Sequence, residues 1–380
     1  MTKKKSQPIP LLWLLLQLII TLSVVLCILT FLHHHHHRNP LSAEEEEEER
    51  LRFVDVGNPK VAFLFLARAN LPLDFLWHAF FKNAELDGGE DLFSIYIHSR
   101  PGFVFDKSTT RSYFFYGRQL RRSVKVGWGE PSMIEAERML LAAALDDPAN
   151  QRFILLSESC VPLYNFSYTY SYLMSSSKSF VDSFLDEKET RYNPKMSPTI
   201  SKETWRKGSQ WITLVRKHAV VVVSDEIIFP VFKRHCKRRP ELNLEEKHKI
   251  KPIILQHNCI PDEHYVQTLL SMSGLEHELE KRTLTYTSWN RSKNVKGKQT
   301  WHPITFEYVN GSPKQINAIK GINHVDYQTE FRTEWCRCNS TFVPCYLFAR
   351  KFSRGAAMRI LTEGFVGTFN AASLLVQNSL

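Results

Sequence analysis

The amino-acid sequence predicts an α/β fold, with a mainly parallel central sheet and flanking helices, preceded by one N-terminal transmembrane helix. Two observations lead to this prediction. Strand-like and helix-like segments alternate between residues 60 and 160, which is typical of parallel sheets with helices on their faces. An uncharged apolar segment, residues 9–32, would exceed the ~30 Å hydrocarbon core of a bilayer if it formed a helix.

The composition is that of an ordinary globular chain. Of the 380 residues, 43% are hydrophobic and 23% are charged, which argues against global disorder. The net charge of +10 is compatible with nucleic acid, an anionic membrane surface or an anionic substrate. The N-terminal apolar segment favours the membrane, so we expect no nucleic-acid partner.

Charges on either side of the apolar segment predict the orientation of the chain. Three lysines lie in residues 1–8, whereas a run of glutamates, 44–49, follows the span. The positive-inside rule therefore places the N-terminus in the cytosol. A cleaved signal peptide is disfavoured because the run is too long and no small-x-small cleavage site follows it. We expect a signal anchor at 9–32, a stalk at 33–58 and a lumenal domain at 59–370.

The cysteines and glycosylation sequons agree with a lumenal domain. Six cysteines beyond the span allow up to three disulfides in an oxidising compartment, and the sequence leaves their pairing open. They are Cys160, Cys236, Cys259, Cys336, Cys338 and Cys345. A zinc site from the last three is disfavoured, because Cys-x-Cys is not the usual spacing. The sequons start at Asn165, Asn290, Asn310 and Asn339.

The elements of the predicted sheet follow one another in order. KVAFLFLAR is a continuous apolar run of the kind that forms a strand buried on both faces. Two further strands and two helices follow it, at 92–99 and 152–160 for the strands and at 71–84 and 131–145 for the helices. Residues 218–239 are predicted to form a later helix with a basic end.

The predicted strands end in polar residues, where a parallel sheet binds its ligands. The three ends are Ala67-Arg68, His98-Ser99 and Ser157-Glu158-Ser159. Neither a dinucleotide-binding G-x-G-x-x-G nor a P-loop motif is present, so those two classes of nucleotide site lose support. We interpret the polar edge as a nucleotide pocket of another kind.

A long segment rich in Ser, Tyr, Asn and Pro, residues 164–213, interrupts the α/β pattern and is typical of a functional insertion. Trp205 and Trp211 lie near its end, next to Arg206 and Lys207. Their indole rings suit stacking against a sugar, and burial as loop anchors is the alternative.

The segment CIPDEHYVQTLL has the pattern of a helix start. Pro261 suits a first turn, and two carboxylates, Asp262 and Glu263, complement the positive end of a helix. From spacing alone, helix capping is the simpler explanation and catalysis is the alternative.

Three segments resemble the core-2/I-branching β-1,6-N-acetylglucosaminyltransferase family, most closely its plant branch. They are KGSQWITLVRKHA, PDEHYVQTLL and PCYLFARKFS, in this order after LLSESCVPL, and the resemblance extends over about residues 60–360. It implies a nucleotide-sugar transferase fold of the GT-A type in the Golgi membrane. The activity it implies is inverting transfer of a sugar from a UDP-sugar donor to a glycan or glycoprotein.

The resemblance also assigns roles to single residues. Glu263 falls on the family's catalytic base, which leaves Asp262 as a helix cap. Lys351 falls on a diphosphate-binding lysine. A second diphosphate ligand is matched by Arg332, with Arg337 as a competitor.

The sequence predicts that no metal cofactor is needed. It contains no Asp-x-Asp, the motif that holds a metal in many such folds, and the comparable strand end carries Glu158 instead. Fixed Lys and Arg side chains can stabilise a diphosphate in the metal's place. We expect Glu158 to contact the nucleotide or the acceptor, and Trp211 to contact substrate.

The donor and the activity itself have alternatives. Better-studied relatives end the second strand in an acidic residue that holds the nucleoside, whereas this chain has His98-Ser99-Arg100. UDP-N-acetylglucosamine is the expected donor, and UDP-glucuronic acid is the rival. A non-catalytic lumenal protein that binds glycans is the alternative from another class.

The topology can be tested by glycosylation. Endoglycosidase treatment of the expressed protein should increase its gel mobility, because the sequons lie after the span. The Asn310→Gln variant identifies one used sequon. Unchanged mobility of both proteins would argue against lumenal placement.

Overall fold

The structure is a computed structural model, and it falls into two units, residues 1–56 and 57–380. The residues it describes are 20–26, 30, 57–186, 191–238, 258–290, 302–327, 330–338 and 341–367. In the first unit residues 20–26 are helical and exposed. No helix within the described ranges has both the length and the apolar character to cross a bilayer. Most of the predicted span, 9–32, lies outside the described residues.

The second unit alternates strands and helices. Its helices are α1 (Asp74–Leu86), α2 (Ser132–Leu145), α3 (Phe166–Ser175), α4 (Arg216–Ser224), α5 (Ile228–His235), α6 (Tyr265–Met272), α7 (Pro313–Lys320) and α8 (Arg354–Thr362). Its strands are β1 (Lys60–Leu66), β2 (Phe93–His98), β3 (Asn150–Ser157), β4 (Val161–Pro162), β5 (Ser179–Phe180), β6 (Phe184–Leu185), β7 (Arg206–Lys207), β8 (Thr213–Val215), β9 (Leu279–Glu280), β10 (Thr285–Thr287), β11 (Trp289–Asn290), β12 (His302–Pro303), β13 (His324–Tyr327), β14 (Arg332–Trp335), β15 (Arg337–Cys338), β16 (Thr341–Phe342) and β17 (Phe348–Arg350).

The central sheet has six strands in the order β2-β1-β3-β8-β5-β9. β1 pairs in parallel with both β2 and β3, which confirms the predicted parallel core of an α/β fold. β8 runs antiparallel to both β3 and β5, and β9 is parallel to β5. The sheet is therefore mixed, with five of these strands running one way and β8 the other.

Both faces of β1 are buried, which explains why its sequence is apolar at every position after Lys60. Phe63 and Phe65 face the helix α1, where both rings meet Trp77 edge to face. Ala62 and Leu64 face the other way and belong to the core that contains α2. Successive side chains of a strand point to opposite faces, so two helical layers need a strand without polar positions.

A second sheet brings the C-terminal part of the chain to the end of β3. β17 lies between β10, which is parallel to it, and β4, which is antiparallel. Just after β17, the Phe352 N–H donates to the Ser159 carbonyl at 3.0 Å. This places Lys351, which precedes Phe352, beside the carboxyl edge of the central sheet.

The structure resolves part of the cysteine pairing. Cys236 is bonded to Cys259, and Cys336 to Cys345. Cys160 is free and buried at the end of β3. Two of the three cysteines considered for zinc are thus joined to each other.

The long helix predicted over residues 218–239 is wrong in one respect, because two helices, α4 and α5, form there. Asp225 separates them. Its carboxylate accepts hydrogen bonds from the N–H groups of Ile228 and Phe229, both at 2.8 Å. A carboxylate that takes the free N–H groups of a first turn starts a new helix at that point.

Candidate active site

The polar strand ends predicted to form a pocket do meet at one edge of the sheet. At the end of β1, the Arg68 N–H donates to Glu158 Oε2 at 2.7 Å, and Arg68 Nε lies 3.5 Å from Glu158 Oε1. The Ala67 N–H donates to the His98 carbonyl at 2.9 Å, which joins β1 to the end of β2. We call this group of strand ends the carboxyl edge.

Lys351 lies at the carboxyl edge, half-buried. Burial lowers its pKa, and the cations Arg350 and Arg68 lower it further, while Glu158 opposes them. A half-buried lysine among other cations is suited to an anion that has not yet bound. The predicted positions of Lys351 and Glu158 in one pocket are thus found together.

Arg350, which the sequence analysis did not single out, lies directly before Lys351. Its guanidinium stacks over the ring of Trp211 at 4.5 Å, and its buried Nε has no hydrogen-bond partner. Burial lowers the pKa of Arg350. Trp211 is 6% exposed, so in this structure its ring supports Arg350, and its predicted contact with substrate stays a prediction.

Glu263 lies in a separate short turn before the helix that the sequence predicted. Residues Pro261–Glu263 form one 3-10 turn, and α6 begins only at Tyr265. The Glu263 carboxylate, 27% exposed, forms an ion pair between its Oε2 and the guanidinium of Arg191. No described residue donates a hydrogen bond to its other oxygen, Oε1.

Gly208 fixes the distance between Glu263 and the strand β7. The Gly208 N–H donates to the Glu263 carbonyl at 2.9 Å. A Cβ at this position would lie 1.7 Å from the Asp182 carbonyl oxygen, so only glycine fits. Lys207 is held beside the same turn, and burial followed by the charge of Arg191 lowers its pKa.

The interpretation of Asp262 as a helix cap is wrong. The N-cap positions of the two helical turns are Ile260 and His264, and the Oδ1 atom of Asp262 is buried without a hydrogen-bond partner. Burial and the neighbouring charge of Glu263 raise the pKa of Asp262 to about 7. The reason is position: the turn directs Asp262 into the core instead of toward the open N–H groups of α6.

A second buried carboxyl, that of Glu137 in α2, interacts with Asp262. Glu137 is 3% exposed, and the Gln210 side-chain amide donates to its Oε1 at 2.7 Å. Burial, followed by the charge of Asp262, raises the pKa of Glu137 well above its ordinary value. Two neighbouring buried carboxyls cannot both ionise at low cost, so ionisation of Asp262 opposes ionisation of Glu137.

The two halves of the site are joined through Asp262. The charges of Arg191 and Arg350 both lower its pKa against the effect of burial. Arg191 pairs with the proposed base Glu263, on the acceptor side of the site. Arg350 directly precedes Lys351, on the donor side. Arg191, the partner of Glu263, and Arg350, the neighbour of Lys351, therefore both lie near Asp262.

Arg332 is engaged by other groups in this structure. Its Nε lies 2.9 Å from Glu330, its Nη1 pairs with Glu334, and its guanidinium stacks over the Tyr327 ring at 4.1 Å. The competitor Arg337 stacks over Phe342 in the neighbouring hairpin. Binding of a diphosphate by Arg332 stays a prediction. The diphosphate would have to replace the carboxylates of Glu330 and Glu334 as partners of Arg332.

Two further predicted positions are buried. His98 accepts a hydrogen bond at Nε2 from the Val124 N–H, 3.2 Å away, and burial lowers its pKa. Its Nδ1 is buried without a partner at the end of β2. Trp205 is 2% exposed and stacks on His264 at 4.4 Å, which identifies it as a core anchor.

Metal ligands are not grouped in the part of the chain that the structure describes. No three His, Cys, Asp or Glu side chains there are arranged to hold a metal ion.

Three residues of the site, Glu137, Arg191 and Arg350, were missed by the sequence analysis. Glu137 had a signal, because it lies on the apolar stripe of α2 together with Ile134 and Leu141. Arg191 belongs to an insertion whose residues carry no periodicity, so nothing marked it, whereas Lys207 of the same insertion was noted beside Trp205 and Trp211. Arg350 was not considered, because the family resemblance assigned a role only to the adjacent Lys351.

Comparison with known proteins gives two matches along the sequence. The family model described as "Branch: Core-2/I-Branching enzyme" matches residues 61–320. "Glycosyltransferase BC10" of Oryza sativa subsp. japonica is 53% identical over 325 residues, which cover 84% of this chain and 80% of that protein.

Comparison with solved structures gives weaker likenesses. The galactosyltransferase LgtC, in complex with donor and acceptor sugar analogues, has a TM-score of 0.34 and 8% identity, covering 82% of this chain and 98% of that one. A197 from STIV has a TM-score of 0.21 and 12% identity, covering 42% of this chain and 67% of that one. At these TM-scores neither likeness bears on the fold or the site.

The raised pKa of Asp262 predicts a pH-dependent effect of Asp262→Asn. Between about pH 4 and pH 7 the folded protein keeps a proton that the unfolded chain has lost, so this carboxyl lowers the free energy of unfolding as pH rises. The Asp262→Asn variant has no carboxyl at this position, so its free energy of unfolding does not fall for this reason as pH rises. Its melting temperature relative to wild type should therefore increase from about pH 5 to about pH 8.

Asp91→Asn is the matched control, because Asp91 lies exposed in a surface turn. Its difference from wild type should be the same at both pH values. An Asp262→Asn difference that stays flat with pH would show that Asp262 is ionised in the folded protein.

Proposed function

Since the chain belongs to the core-2/I-branching enzyme family and is a glycosyltransferase, we propose that it transfers a sugar from a UDP-sugar to a glycan hydroxyl with inversion and without a metal. The sugar we propose is N-acetylglucosamine. We place the enzyme in the Golgi membrane as a single-pass type II protein, and assign the mixed central sheet to the GT-A type. The observation that carries the proposal is that Arg191, which pairs with Glu263, and Arg350, which precedes Lys351, both lie near the buried Asp262 carboxyl.

The cations of the site are arranged for a leaving diphosphate. As the bond from the sugar to the diphosphate breaks, negative charge builds on the diphosphate oxygens. Lys351 lies half-buried at the carboxyl edge with Arg68 nearby, where a nucleotide of a parallel sheet is expected. Fixed cations in a partly dry site stabilise such charge without a metal ion.

Glu263 supplies the other half of the reaction. Arg191 binds Oε2 and so fixes the carboxylate, while Oε1 is open to an acceptor hydroxyl. In the proposed step the acceptor oxygen attacks the anomeric carbon as its proton passes to Glu263 and UDP departs. One general base is enough because the diphosphate is already a good leaving group.

A donor screen tests the proposal without knowledge of the acceptor. The full-length protein, solubilised in detergent, is incubated with UDP-N-acetylglucosamine, UDP-glucuronic acid, UDP-galactose and UDP-glucose, and released UDP is measured. Fastest release from UDP-N-acetylglucosamine supports the proposed donor. Fastest release from UDP-glucuronic acid would identify a glucuronosyltransferase instead. Release from none, with saccharide binding intact, would favour the non-catalytic glycan-binding alternative.

Glu263→Gln should lower the rate of sugar transfer by ~10²- to 10⁴-fold, the usual loss when a general base is removed. Glutamine keeps the size of the side chain and a carbonyl oxygen for Arg191 but takes no proton at neutral pH. Donor binding should change little, because Glu263 faces the acceptor.

Glu135→Gln is the matched control, since Glu135 forms a surface ion pair with Lys233 at 3.0 Å. It should transfer sugar at the wild-type rate. A Glu263→Gln rate within a few-fold of wild type would mean that another group takes the proton.

Lys351→Ala should weaken the binding of UDP itself, by ~10- to 100-fold if one charge-assisted hydrogen bond is lost. Lys217→Ala serves as control, because Lys217 is exposed and paired with Glu278.

Transfer by the wild-type protein should persist in excess EDTA. A strict requirement for manganese would overturn the proposed metal-independent reaction. The role of Lys351 would then still be decided by its effect on the binding of UDP.

A further inference from the structure

Two short hairpins near the C-terminus present aromatic side chains to solvent. β13 pairs with β14 and β15 pairs with β16, both antiparallel. Between them the backbone is extended, so Trp335 and Arg337 point to one side and Cys336 to the other. Cys336 is fully buried and bonded to Cys345, which fixes this outward face in place.

The outward face consists of four side chains, His324, Trp335, Arg337 and Phe342, which we call the hairpin face. Trp335 is 47% exposed and Phe342 is 53% exposed. Their rings lie 5.7 Å apart, and the His324 ring lies 5.0 Å from that of Trp335. The Arg337 guanidinium covers one side of the Phe342 ring at 4.6 Å.

A polar cavity of about 180 Å³ adjoins the hairpin face through Arg337, which lines it. The other lining groups include the hydroxyl-rich segment Ser175–Ser177 and the ion pair of Lys178 with Glu280. This volume is below the ~300–1,000 Å³ of pockets for drug-sized ligands and suits one small polar ring.

The cavity is held rigid by buried groups. Arg282 is 1% exposed; its Nη1 donates to the Cys345 carbonyl and its Nη2 to the Tyr172 hydroxyl, both at 2.9 Å. Tyr172 in turn donates to the Pro344 carbonyl at 2.9 Å. These bonds attach the disulfide-linked hairpin to α3, and a rigid site loses little entropy when a ligand binds.

The cavity lies away from the candidate active site. It adjoins Lys178, just before β5, whereas Asp182 follows β5 and contacts the active-site loop at Ser209. β5 runs in the same direction as β1, so its beginning is at the edge of the sheet opposite the carboxyl edge. The cavity and the hairpin face are therefore a separate site.

We propose that the hairpin face and its adjoining cavity bind a saccharide of at least two rings that carries a carboxylate. Exposed indole and phenyl rings stack against the apolar faces of sugar rings, and the serine hydroxyls and the ion pair match sugar hydroxyls. Arg337 forms no ion pair with a described carboxylate, so it is available to one on the ligand.

The polar cavity favours a saccharide over a protein partner. A protein interface would place an apolar anchor in a pocket beside the aromatic rings. This cavity has two aromatic side chains in its wall, Tyr172 and Phe180, but its other lining groups are the hydroxyls of Ser175–Ser177 and three charged side chains. Two exposed rings beside a polar ring-sized cavity provide one stacking position and one hydrogen-bonding position.

Binding is measured by saturation-transfer NMR on the full-length protein in detergent, after endoglycosidase treatment to remove any N-glycan. The acidic probe is trigalacturonic acid and the neutral probe is xylotriose. We expect tighter binding of the acidic probe, with a preference that falls as salt is raised. Trp335→Ala should weaken binding about tenfold, and Trp335→Phe should restore most of it.

Arg337→Gln should remove the preference for the acidic probe while both saccharides still bind. Trp128→Ala is the matched control, because Trp128 is 59% exposed with the Arg238 guanidinium stacked over it at 4.0 Å. It should bind both probes as wild type does. The Trp335 and Trp128 variants should release UDP at the wild-type rate, since neither residue lies in the active site.

Three results would overturn the proposal: no binding of either probe, equal binding of both by the wild type, or equal weakening by Trp128→Ala and Trp335→Ala. Failure to bind together with self-association that Trp335→Ala abolishes would assign the face to a protein contact. These outcomes are independent of transfer, so they leave the proposed function untouched.

Discussion

The stacking of Arg350 on Trp211 next to Asp262 is the interaction on which the candidate site depends. Burial disfavours the charge of the Arg350 guanidinium, and the Trp211 ring stacked against it compensates in part. Because Arg350 ends β17, this contact fixes the strand that delivers Lys351 to the carboxyl edge. Because Asp262 precedes Glu263, the same contact positions the proposed base. One buried cation thus aligns the donor and acceptor halves of the site.

Close backbone approach supports the acceptor half. Gly208 lets its strand pass between Asp182 and the turn that carries Glu263, at a distance no other residue allows. Arg191 and Lys207 reach Glu263 from the same inserted segment. The insertion is therefore held by specific polar contacts in addition to buried side chains such as Met196 and Trp205. This is the arrangement expected of a binding loop on a rigid sheet.

Local patterns in the sequence were sufficient to predict the strands β1, β2 and β3 and the helices α1 and α2 between them. The continuous apolar run of β1 and the stripe of α2 each reflect burial that a single element dictates, so their bounds were predicted to within a few residues. The pairing of β8 and β5 was not predictable. Each contributes only two or three residues to the sheet, and such short segments have no period to detect.

By itself the sequence determined the α/β class, the meeting of polar strand ends at one edge and, through resemblance, the family to which the chain belongs. It also pointed to Glu263 and Lys351, because both residues lie in short sequence motifs that can be matched to the family without knowledge of the fold. Only the tertiary structure decided that Asp262 is a buried acid and not a cap, and that Arg350 connects the two halves. The direction of a side chain after a turn, and the charges it then meets, come from segments far apart in sequence. Burial and Coulomb interaction act through space, and no local spacing records them.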